Sequence, residues 1–463
     1  MIRRVLRSLK RLASIRNHRS LMQMLLDIAK LYYREGVRGI GLRVYRELIA
    51  TGIVESTHDA QPVAYPRLDT THPFQVVRHP FYNPTAGELE LNRTVTARFL
   101  ARPSEIRSAT WFLPAFRHPL FGGVFTILMC MEWMTREHGV RHRVVFYDNK
   151  DVTDEEMRNR ISDQFPVLAD IDIVIPRHDP PYVDFSELPY TDIGVCTLWY
   201  SAYALLRFNN VGAKFYFVQD FEPNFYPAGT LFGLCEATYR FGFAGIVNST
   251  GLESSFTAYG NPAVAFTPSV RRLSEDLTNV DRDRSARTRV VIYGRPDTDR
   301  NAFELLVESA KTIKQRLGDE VEIISVGGEW SETSYGLEGI VTNLGLLDNL
   351  DEVHSQYEAA DIGICFQFAR HPSYQPLEYF ATGTAVIANR NLYTDWLLRD
   401  GENCLLIEPF PNEVADAVVC LHNDPDFKAK LVSAGFNDIQ STKWDKEFEK
   451  VWSFLTGLQG HGR

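Results

Sequence analysis

Short apolar runs alternate with longer amphipathic stretches between about residue 105 and about residue 270. The run SATWFLP at 108–114 predicts a strand, and VFTILMCMEWMTREH at 124–138 predicts a helix that ends at Gly139. RHRVVFYD at 141–148 then predicts the second strand of a βαβ unit. Further strand-like runs follow, with helical patterns between most of them: DIDIVIP, TDIGVCT, KFYFVQD and AGIVNS. This order predicts a parallel sheet with helices on both faces.

A second series of the same kind begins after residue 286. Its strand-like runs are RVVIYG, VEIISVGG, DIGICFQF, TAVIAN and NCLLIEP. Its predicted helices are NAFELLVESAKTIKQRLG, which Gly318 closes, then LDEVHSQYEAA, SYQPLEYFATG and YTDWLLRDG. The intervening stretch from Val270 to Arg289 is polar and highly charged and has no sustained apolar period, which favours a domain boundary there.

The two series predict an α/β fold of two Rossmann-like, doubly wound domains that face a central cleft. A length of 463 residues also favours two domains. We assign the first domain to residues 105–270 and the second to residues 286–440. Residues 441–460 contain apolar side chains at core-like helical spacing, so we expect a C-terminal helix that packs back across the domains. Ligands of such sheets bind at the carboxyl ends of the strands, so the cleft is the expected site.

Residues 1–100 form a basic N-terminal extension that we expect to be largely helical. Residues 1–50 contain twelve Lys or Arg against three Asp or Glu, a local balance of +9, although the whole chain carries −10. At helical spacing, residues 1–16 place apolar side chains on one face and basic side chains on the other. Two interpretations stay open: this segment lies on an anionic membrane surface, or it packs on the rest of the protein or on a partner.

The composition is typical of a soluble globular protein, with 44% hydrophobic and 23% charged residues. The negative net charge argues against general nucleic-acid binding. The six cysteines form no C-x-x-C pair, so neither a zinc site nor a disulfide framework is expected. The chain contains no run of about 18 apolar residues, and its basic start lacks the uninterrupted apolar core of a signal peptide. We therefore expect a cytoplasmic protein, with its basic segment as a candidate peripheral contact with the inner face of the cytoplasmic membrane.

The segment RHPSYQPLEYFATGTAVIAN, Arg370–Asn389, combines a cation, a candidate helix start and an acidic residue. Ser373 can cap the helix that carries Glu378, and Pro376 is tolerated in the first turn of that helix. The free N–H groups and the helix dipole favour an anion at this end. Glu378 lies about one turn further along, where it can reach past a diphosphate to a sugar hydroxyl. The alternative is a plain helix start with a solvated Glu378.

The segment YGRPDTDRNAFELL follows the first strand of the second series. Arg295 lies at the carboxyl end of that strand, and Arg300 lies five residues later, just before the next helix. Two guanidinium groups there form a second candidate anion-binding edge. Exposed ion pairs with Asp297 or Asp299 are the alternative. Because both arginines and Glu378 fall at strand ends of one domain, the sequence predicts a binding site for a nucleotide diphosphate.

The first domain offers candidate groups for the acceptor side of the cleft. Gly122 and Gly123 open its first helix, where glycine lets the backbone approach a ligand closely. This loop is neither G-x-G-x-x-G nor a Walker loop. Asp220 and Glu222 follow a strand in VQDFEPNF and are expected in the cleft, with turn hydrogen bonds as the alternative. Two loop histidines are weaker candidates: His118 and His371.

These motifs resemble those of retaining glycosyltransferases of the GT-B architecture, specifically family four of the sequence classification. The signature of that family is a strand that ends in Gly-Arg, a basic residue five positions on, and an E-x7-E motif followed by G-T-P-V-I-A. The chain has Gly294-Arg295, then Arg300 where the family usually has Lys, Glu378 as the second glutamate, and GTAVIAN from Gly383. Within the family, YFVQDFEPNFYPAG, YRFGFAGI, YGRPDTDRNAF and HPSYQPLEYF resemble the WsaF-type rhamnosyltransferases of bacterial polysaccharide assembly. The resemblance covers about residues 105–440.

The resemblance implies a transferase, expected to be retaining, that moves a hexose or deoxyhexose from a nucleotide sugar. It favours L-rhamnose from dTDP-L-rhamnose as the donor and a surface polysaccharide or lipid-linked glycan as the acceptor. It implies stabilisation of the leaving diphosphate by arginine, without a metal ion or other cofactor. We assign catalysis to Arg295, Arg300 and Asp220. We assign donor binding to Glu378, Ser373, Tyr374, Gln375 and Gly294. We assign the acceptor-side loop to Gly122, Gly123, His118 and Glu222.

One position departs from the family pattern. Arg370 stands where the first glutamate of E-x7-E is expected, and in the family that glutamate is thought to lie near the transferred sugar. A 6-deoxyhexose, which presents fewer hydroxyl groups, would tolerate the change, and WsaF-type proteins share it. Two alternatives stay open: a nucleotide-sugar epimerase of the same architecture, and a non-catalytic nucleotide-binding member of a glycan assembly complex.

Overall fold

The structure is a computed structural model that describes residues 76–77, 80–101, 105–120, 122–147, 152–176, 185, 188–274, 287–347, 349–371 and 373–457. The amphipathic segment 1–16 and most of the predicted extension 1–100 lie outside the described residues.

The first sheet consists of parallel strands in the order β3-β2-β1-β4-β5-β6-β7. The strands are Ser108–Leu113 (β1), Arg141–Phe146 (β2), Asp172–Val174 (β3), Thr191–Cys196 (β4), Val211–Val218 (β5), Ala244–Asn248 (β6) and Ala263–Phe266 (β7). In β1 every side chain from Ala109 to Leu113 is buried, as expected for a parallel sheet that helices cover on both faces. Strand β7, a run of only four residues, was not predicted from the sequence.

Helices connect these strands in the described part of the first domain. They are Gly122–His138, Asp154–Ser162, Trp199–Arg207, Thr230–Thr238 and Thr250–Thr257. The first ends at Gly139, whose φ of 65° is the left-handed conformation predicted for that position. A further helix, Ala86–Leu100, begins with a capping box between Thr85 and Glu88. It packs on β5, and Asn92 Nδ2 donates to the Phe241 carbonyl oxygen at 2.6 Å. This part of the predicted extension therefore packs on the first sheet.

The second sheet is also parallel, in the order β10-β9-β8-β11-β12-β13. Its strands are Thr288–Tyr293 (β8), Val321–Val326 (β9), Thr342–Asn343 (β10), Ile362–Cys365 (β11), Ala385–Asn389 (β12) and Leu405–Ile407 (β13). Its helices are Phe303–Leu317, Glu332–Tyr335, Leu350–Glu358, Gln375–Ala381, Pro411–Asn423 and Pro425–Gln440. The predicted α/β fold of two doubly wound sheets is confirmed. The two-residue β10 and the helices of residues 411–440 were not predicted.

The predicted helix at 393–401 is wrong, because the structure has turns there. Polar side chains satisfy the backbone groups of this segment. Thr394 Oγ1 donates to the Asn391 carbonyl oxygen at 2.9 Å, and the Arg399 N–H donates to Asn403 Oδ1 at 2.8 Å. Such local side-chain hydrogen bonds compete with the helical pattern.

The C-terminal helix Trp444–Leu455 lies in the hydrophobic core of the first domain. Trp452 stacks on His138 with ring centroids 3.9 Å apart. Glu447 Oε2 accepts the Thr267 N–H at 2.9 Å, which ties the helix to the chain just after β7. The chain thus returns from the second sheet to complete the core of the first.

Five cysteines are buried, Cys420 is exposed, and all six are free thiols. Within the described ranges, every helix is too short or too polar to cross a bilayer.

Candidate functional site

A cavity of about 580 Å³ lies between the carboxyl ends of the strands of the two sheets, and we call it the cleft cavity. Its lining contains every predicted site residue except Gly294, namely His118, Gly122, Gly123, Asp220, Glu222, Arg295, Arg300, Ser373, Tyr374, Gln375 and Glu378. Residues from both domains therefore meet at one place. Their individual contacts differ from the predicted roles at several positions.

Arg300 and Asp220 form an ion pair across the cleft. Arg300 Nε lies 3.8 Å from Asp220 Oδ2, and the guanidinium carbon lies 4.8 Å from the ring centroid of Phe225. Burial raises the pKa of Asp220 to about 6, against the opposing effect of the Arg300 charge and of hydrogen bonds from the backbone of Phe221 and Arg370. Because the Arg300 side chain is 41% exposed, its charge is accessible to an anionic ligand.

Arg295 extends from the end of β8 into the same cavity. Its Nη1 donates to the Tyr293 hydroxyl at 3.3 Å. A turn closed by the Thr298 N–H and the Arg295 carbonyl oxygen, at 3.2 Å, leads to the short 3-10 helix Asp299–Asn301. The turn brings Arg300 back to the cavity, so both arginines line it, as an anion-binding edge requires.

Glu378 lies on the helix Gln375–Ala381 and faces the cleft cavity. Burial raises the pKa of its carboxyl group to about 7. Among the described residues, none donates a hydrogen bond to this carboxylate. It is therefore available to a hydroxyl group of a ligand.

The predicted cap at Ser373 is wrong. Tyr374 is the residue before the helix, no side chain caps it, and the helix is only seven residues long. Ser373 has a φ of 66°, and its N–H donates to His371 Nδ1 at 3.0 Å. The chain turns sharply here, so the serine side chain does not reach the first turn. Pro376 removes a further N–H group from that turn, which weakens the predicted anion site at this end.

Tyr374 connects the two domains. Its hydroxyl group accepts from Asn248 Nδ2 at 3.1 Å and also hydrogen-bonds to the Thr126 hydroxyl. Burial raises the pKa of Tyr374 to about 12, so it remains a neutral phenol. The ring packs on Gly122, where an added Cβ would lie 3.1 Å from Cδ2. The glycine at the start of the first helix therefore makes room for Tyr374.

Two other predicted residues have mainly structural contacts. Glu222 is 2% exposed and accepts the Trp199 N–H at 2.6 Å and the Tyr216 hydroxyl at 3.2 Å. It thereby satisfies the start of the helix Trp199–Arg207. An added Cβ at Gly294 would lie 2.3 Å from Ser325 Oγ, so this glycine serves close packing beside the cavity.

Gly123 and His118 line the cavity on the side of the first domain. The Gly123 carbonyl oxygen accepts from Gln219 Nε2 at 2.8 Å, and His118 Nδ1 accepts the Leu120 N–H at 3.4 Å. Gln375 is the first residue of its helix and lines the cavity.

Arg370 does not line the cleft cavity. Its guanidinium lies between two rings, 3.9 Å from the centroid of Phe221 and 5.0 Å from that of Tyr393. Its Nη1 donates to Ser255 Oγ at 3.0 Å. The residue that replaces the expected glutamate is thus an interdomain contact.

Several lining residues were not predicted from the sequence, among them Gln219 and Gln367. Each follows the end of a strand closely, Gln219 after β5 and Gln367 after β11. This position at the carboxyl end of a parallel strand was the signal that could have identified them.

The chain matches the models of two domains of one family in the expected order. The model of the WsaF N-terminal domain matches residues 113–249, and that of the WsaF C-terminal domain matches residues 288–419. Together they cover more than half of the chain. The chain is also similar to the O-antigen biosynthesis protein RfbC of Myxococcus xanthus, with 37% identity over 364 residues. That match covers 78% of this chain but 28% of RfbC, so the chain spans only part of the length of this relative.

Two solved structures resemble the fold. Sucrose-phosphate synthase from Thermosynechococcus elongatus superposes with a TM-score of 0.58 at 14% identity, over 77% of this chain and 100% of that one. HepE of Anabaena in complex with UDP-glucose superposes with a TM-score of 0.56 at 15% identity, over 76% of this chain and 98% of that one. The predicted GT-B arrangement is confirmed. With both of its sheets matched by the two models of a single family, the chain belongs to the WsaF family of GT-B glycosyltransferases.

Proposed function

We propose that the protein transfers a sugar from a nucleotide-sugar donor to a hydroxyl group of a glycan during polysaccharide assembly. One observation carries the proposal: Arg295, Arg300 and Glu378 line the same cavity at the carboxyl ends of the strands. Two cations there suit a diphosphate, and a carboxylate with no hydrogen-bond partner among the described residues suits a ribose hydroxyl.

In the proposed reaction the acceptor oxygen forms a bond to the anomeric carbon while the bond from that carbon to the diphosphate oxygen breaks. Arg295 and Arg300 stabilise the negative charge that develops on the leaving diphosphate. A diphosphate oxygen takes the proton of the acceptor hydroxyl on the same face, so the configuration is retained. The two guanidinium groups supply the positive charge, and the proposed mechanism uses no metal ion.

Asp220 has two roles in this proposal. It holds Arg300 before the donor binds, and the diphosphate then competes for the same guanidinium. Once Arg300 turns to the diphosphate, the Asp220 carboxylate can orient the acceptor hydroxyl from the opposite wall of the cleft. Its raised pKa makes it a better hydrogen-bond acceptor than an ordinary aspartate.

The donor sugar and the acceptor are finer parts of the proposal. The resemblance to the WsaF-type group supports L-rhamnose from dTDP-L-rhamnose, and the similarity to an O-antigen biosynthesis protein supports a surface-polysaccharide or lipid-linked acceptor. UDP-glucose, the molecule bound to the structurally similar HepE, is the second donor to test.

We place the reaction in the cytoplasm, with residues 1–16 on the anionic inner face of the membrane. Deletion of residues 1–16 should weaken binding to anionic vesicles at low salt, and unchanged binding would contradict that placement.

The central test is an assay of the full chain with dTDP-L-rhamnose and UDP-glucose, with and without EDTA, that measures release of nucleoside diphosphate and addition of sugar to a glycan acceptor. We expect transfer that survives EDTA. Replacing either arginine, Arg295→Ala or Arg300→Ala, should lower kcat by about 10²–10³-fold. Arg240→Ala is the control, because Arg240 lies outside the cleft cavity.

Three outcomes would overturn the proposal. Full activity of the double variant Arg295→Ala, Arg300→Ala would contradict the site. Conversion of the donor sugar without an acceptor would indicate an epimerase. Nucleotide binding without turnover on any acceptor would indicate a non-catalytic member of an assembly complex.

A further inference from the structure

Three residues that line the cleft cavity each bury a polar atom that has no hydrogen-bond partner among the described residues. The atoms are Gln219 Oε1, Gln367 Oε1 and His371 Nε2. Buried polar groups are nearly always satisfied by protein, water or a ligand. A group of three around one cavity therefore indicates a polar molecule that binds there.

In each of these three residues, another polar group already has a hydrogen-bond partner in the protein. Gln219 Nε2 donates to the Gly123 carbonyl oxygen at 2.8 Å, which leaves the amide oxygen of that side chain free. The Gln367 N–H donates to Asn389 Oδ1 at 2.8 Å, and the Gln367 carbonyl oxygen accepts from Asn389 Nδ2 at 3.1 Å. These contacts hold the Gln219 side chain at the end of β5 in the first domain and the Gln367 backbone at the end of β11 in the second.

His371 is 5% exposed, and its tautomer follows from its contact with the backbone. Because Nδ1 accepts the Ser373 N–H at 3.0 Å, the neutral ring carries its proton on Nε2. Burial and the Arg300 charge lower the pKa of His371 to about 3, which keeps the ring neutral. The three atoms therefore present two acceptors, the amide oxygens, and one donor, the imidazole N–H.

The position of these three residues relative to Arg300 determines which part of a ligand they contact. The Phe368 N–H contacts the Arg300 carbonyl oxygen at 3.4 Å, so the loop that carries Gln367 and His371 lies against the Arg300 segment. Gln219 precedes Asp220, which pairs with Arg300. A diphosphate held by Arg300 would therefore lie beside this loop, and the group attached to the diphosphate would come within reach of these three residues.

We propose that Gln219, Gln367 and His371 form the subsite for the transferred sugar. They take the place of the glutamate that the family pattern has at position 370. This inference rests on the proposed function. Two hydroxyl groups of the sugar ring donate to the amide oxygens of Gln219 and Gln367, and His371 Nε2 donates to a third oxygen of the ring. Arg370 is turned away between Phe221 and Tyr393, so it leaves this space to the neutral residues.

The test compares the affinity for a nucleotide sugar with the affinity for the bare nucleoside diphosphate. Calorimetry on the full chain would use UDP, dTDP, UDP-glucose and dTDP-L-rhamnose as probes. The variants are Gln219→Met and Gln367→Met, which keep the approximate shape but remove the whole side-chain amide, and His371→Asn, with exposed Gln440→Met as the control. A thermal melt of each variant shows whether it is folded.

For each subsite variant we expect the Kd of the preferred nucleotide sugar to rise about fivefold to tenfold, with the Kd of the matching nucleoside diphosphate within about twofold of the wild-type value. Equal changes in both values would mean that the residue only supports the structure or binds an ordered water, and no change in either would mean that the sugar lies elsewhere. Both results overturn this inference and leave the proposed function intact. Failure of the wild-type chain to bind any of the four probes would overturn both.

Discussion

The guanidinium carbon of Arg370 lies 3.9 Å from the ring centroid of Phe221, and this contact joins the second domain to the first. It explains why a cation is tolerated where the E-x7-E pattern of the wider glycosyltransferase family predicts an acid. Stacking on the faces of two aromatic rings stabilises a planar guanidinium, by about 1 kcal/mol for each ring at partly desolvated sites. The same environment would repel a carboxylate, because aromatic ring faces carry partial negative charge.

Restoring the glutamate at this position should therefore not improve the enzyme. We expect Arg370→Glu to lower the melting temperature by several degrees and to leave kcat/KM equal or lower, because the new carboxylate lies near Asp220 as well as the rings. Differential scanning fluorimetry and the transfer assay measure both quantities. Arg240→Glu is the matched control, since Arg240 lies over Tyr259 within one domain. A gain in activity with unchanged stability would show that position 370 faces the sugar.

Glu378 should make donor binding depend on pH. Burial raises its pKa to about 7, and a ribose hydroxyl donates to the ionised form, so the ligand favours loss of the proton. We expect the Kd of a nucleotide sugar to be about tenfold higher at pH 6 than at pH 8, with a plateau above about pH 8. Nucleotide sugars are the right probe, because their diphosphate does not titrate in this range.

Glu378→Gln supplies the comparison for that titration. The variant should bind more weakly at pH 8 and retain only the smaller change that comes from Asp220. The same pH profile in wild type and variant would assign the titration to another group.

Glu222 should affect stability and have little direct effect on turnover. Burial raises the pKa of Glu222 from 4.5 to about 8. Between these two pH values, the carboxyl group stays protonated in the folded chain and is ionised in the unfolded chain. The carboxyl group therefore costs stability as pH rises from about 4.5 to 8. We expect Glu222→Gln, which keeps an oxygen for the Trp199 N–H, to reduce the fall in melting temperature between pH 5 and pH 8. The test measures the melting temperatures of wild type and variant at pH 5 and pH 8, together with kcat. A large loss of kcat in a variant that melts normally would instead assign Glu222 to the chemistry.

Much of the fold was predictable because its strands are continuous apolar runs and its helices carry strong signals at their ends. Gly139 and Gly318 both end helices as predicted, each with a positive φ. The four-residue β7 and the two-residue β10 are too short to produce a periodic pattern. The helix predicted at 393–401 failed because Asn391, Thr394 and Asn403 bond the backbone locally, and such bonds leave the apolar spacing unchanged.

The candidate site was predictable at the level of which strand ends meet, and less so at the level of individual contacts. Arg295, Arg300 and Glu378 line the cavity because parallel strands bring their carboxyl ends to one edge. The cap at Ser373 was wrong because its positive φ depends on the turn after His371. The roles of Arg370 and Tyr374 depend on partners in the other domain, which are more than 100 residues away in sequence.

The helix Trp444–Leu455 has a consequence for how the protein is made. Its aromatic side chains pack into the core of a sheet whose strands were synthesised between about 180 and about 340 residues earlier, from Phe266 back to Ser108. During translation, the part of that core next to β7 and the helix Gly122–His138 stays uncovered until the helix Trp444–Leu455 leaves the ribosome. Domains that emerge early generally fold as units, but this one must wait for a late segment, which exposes it to aggregation and to chaperones in the meantime.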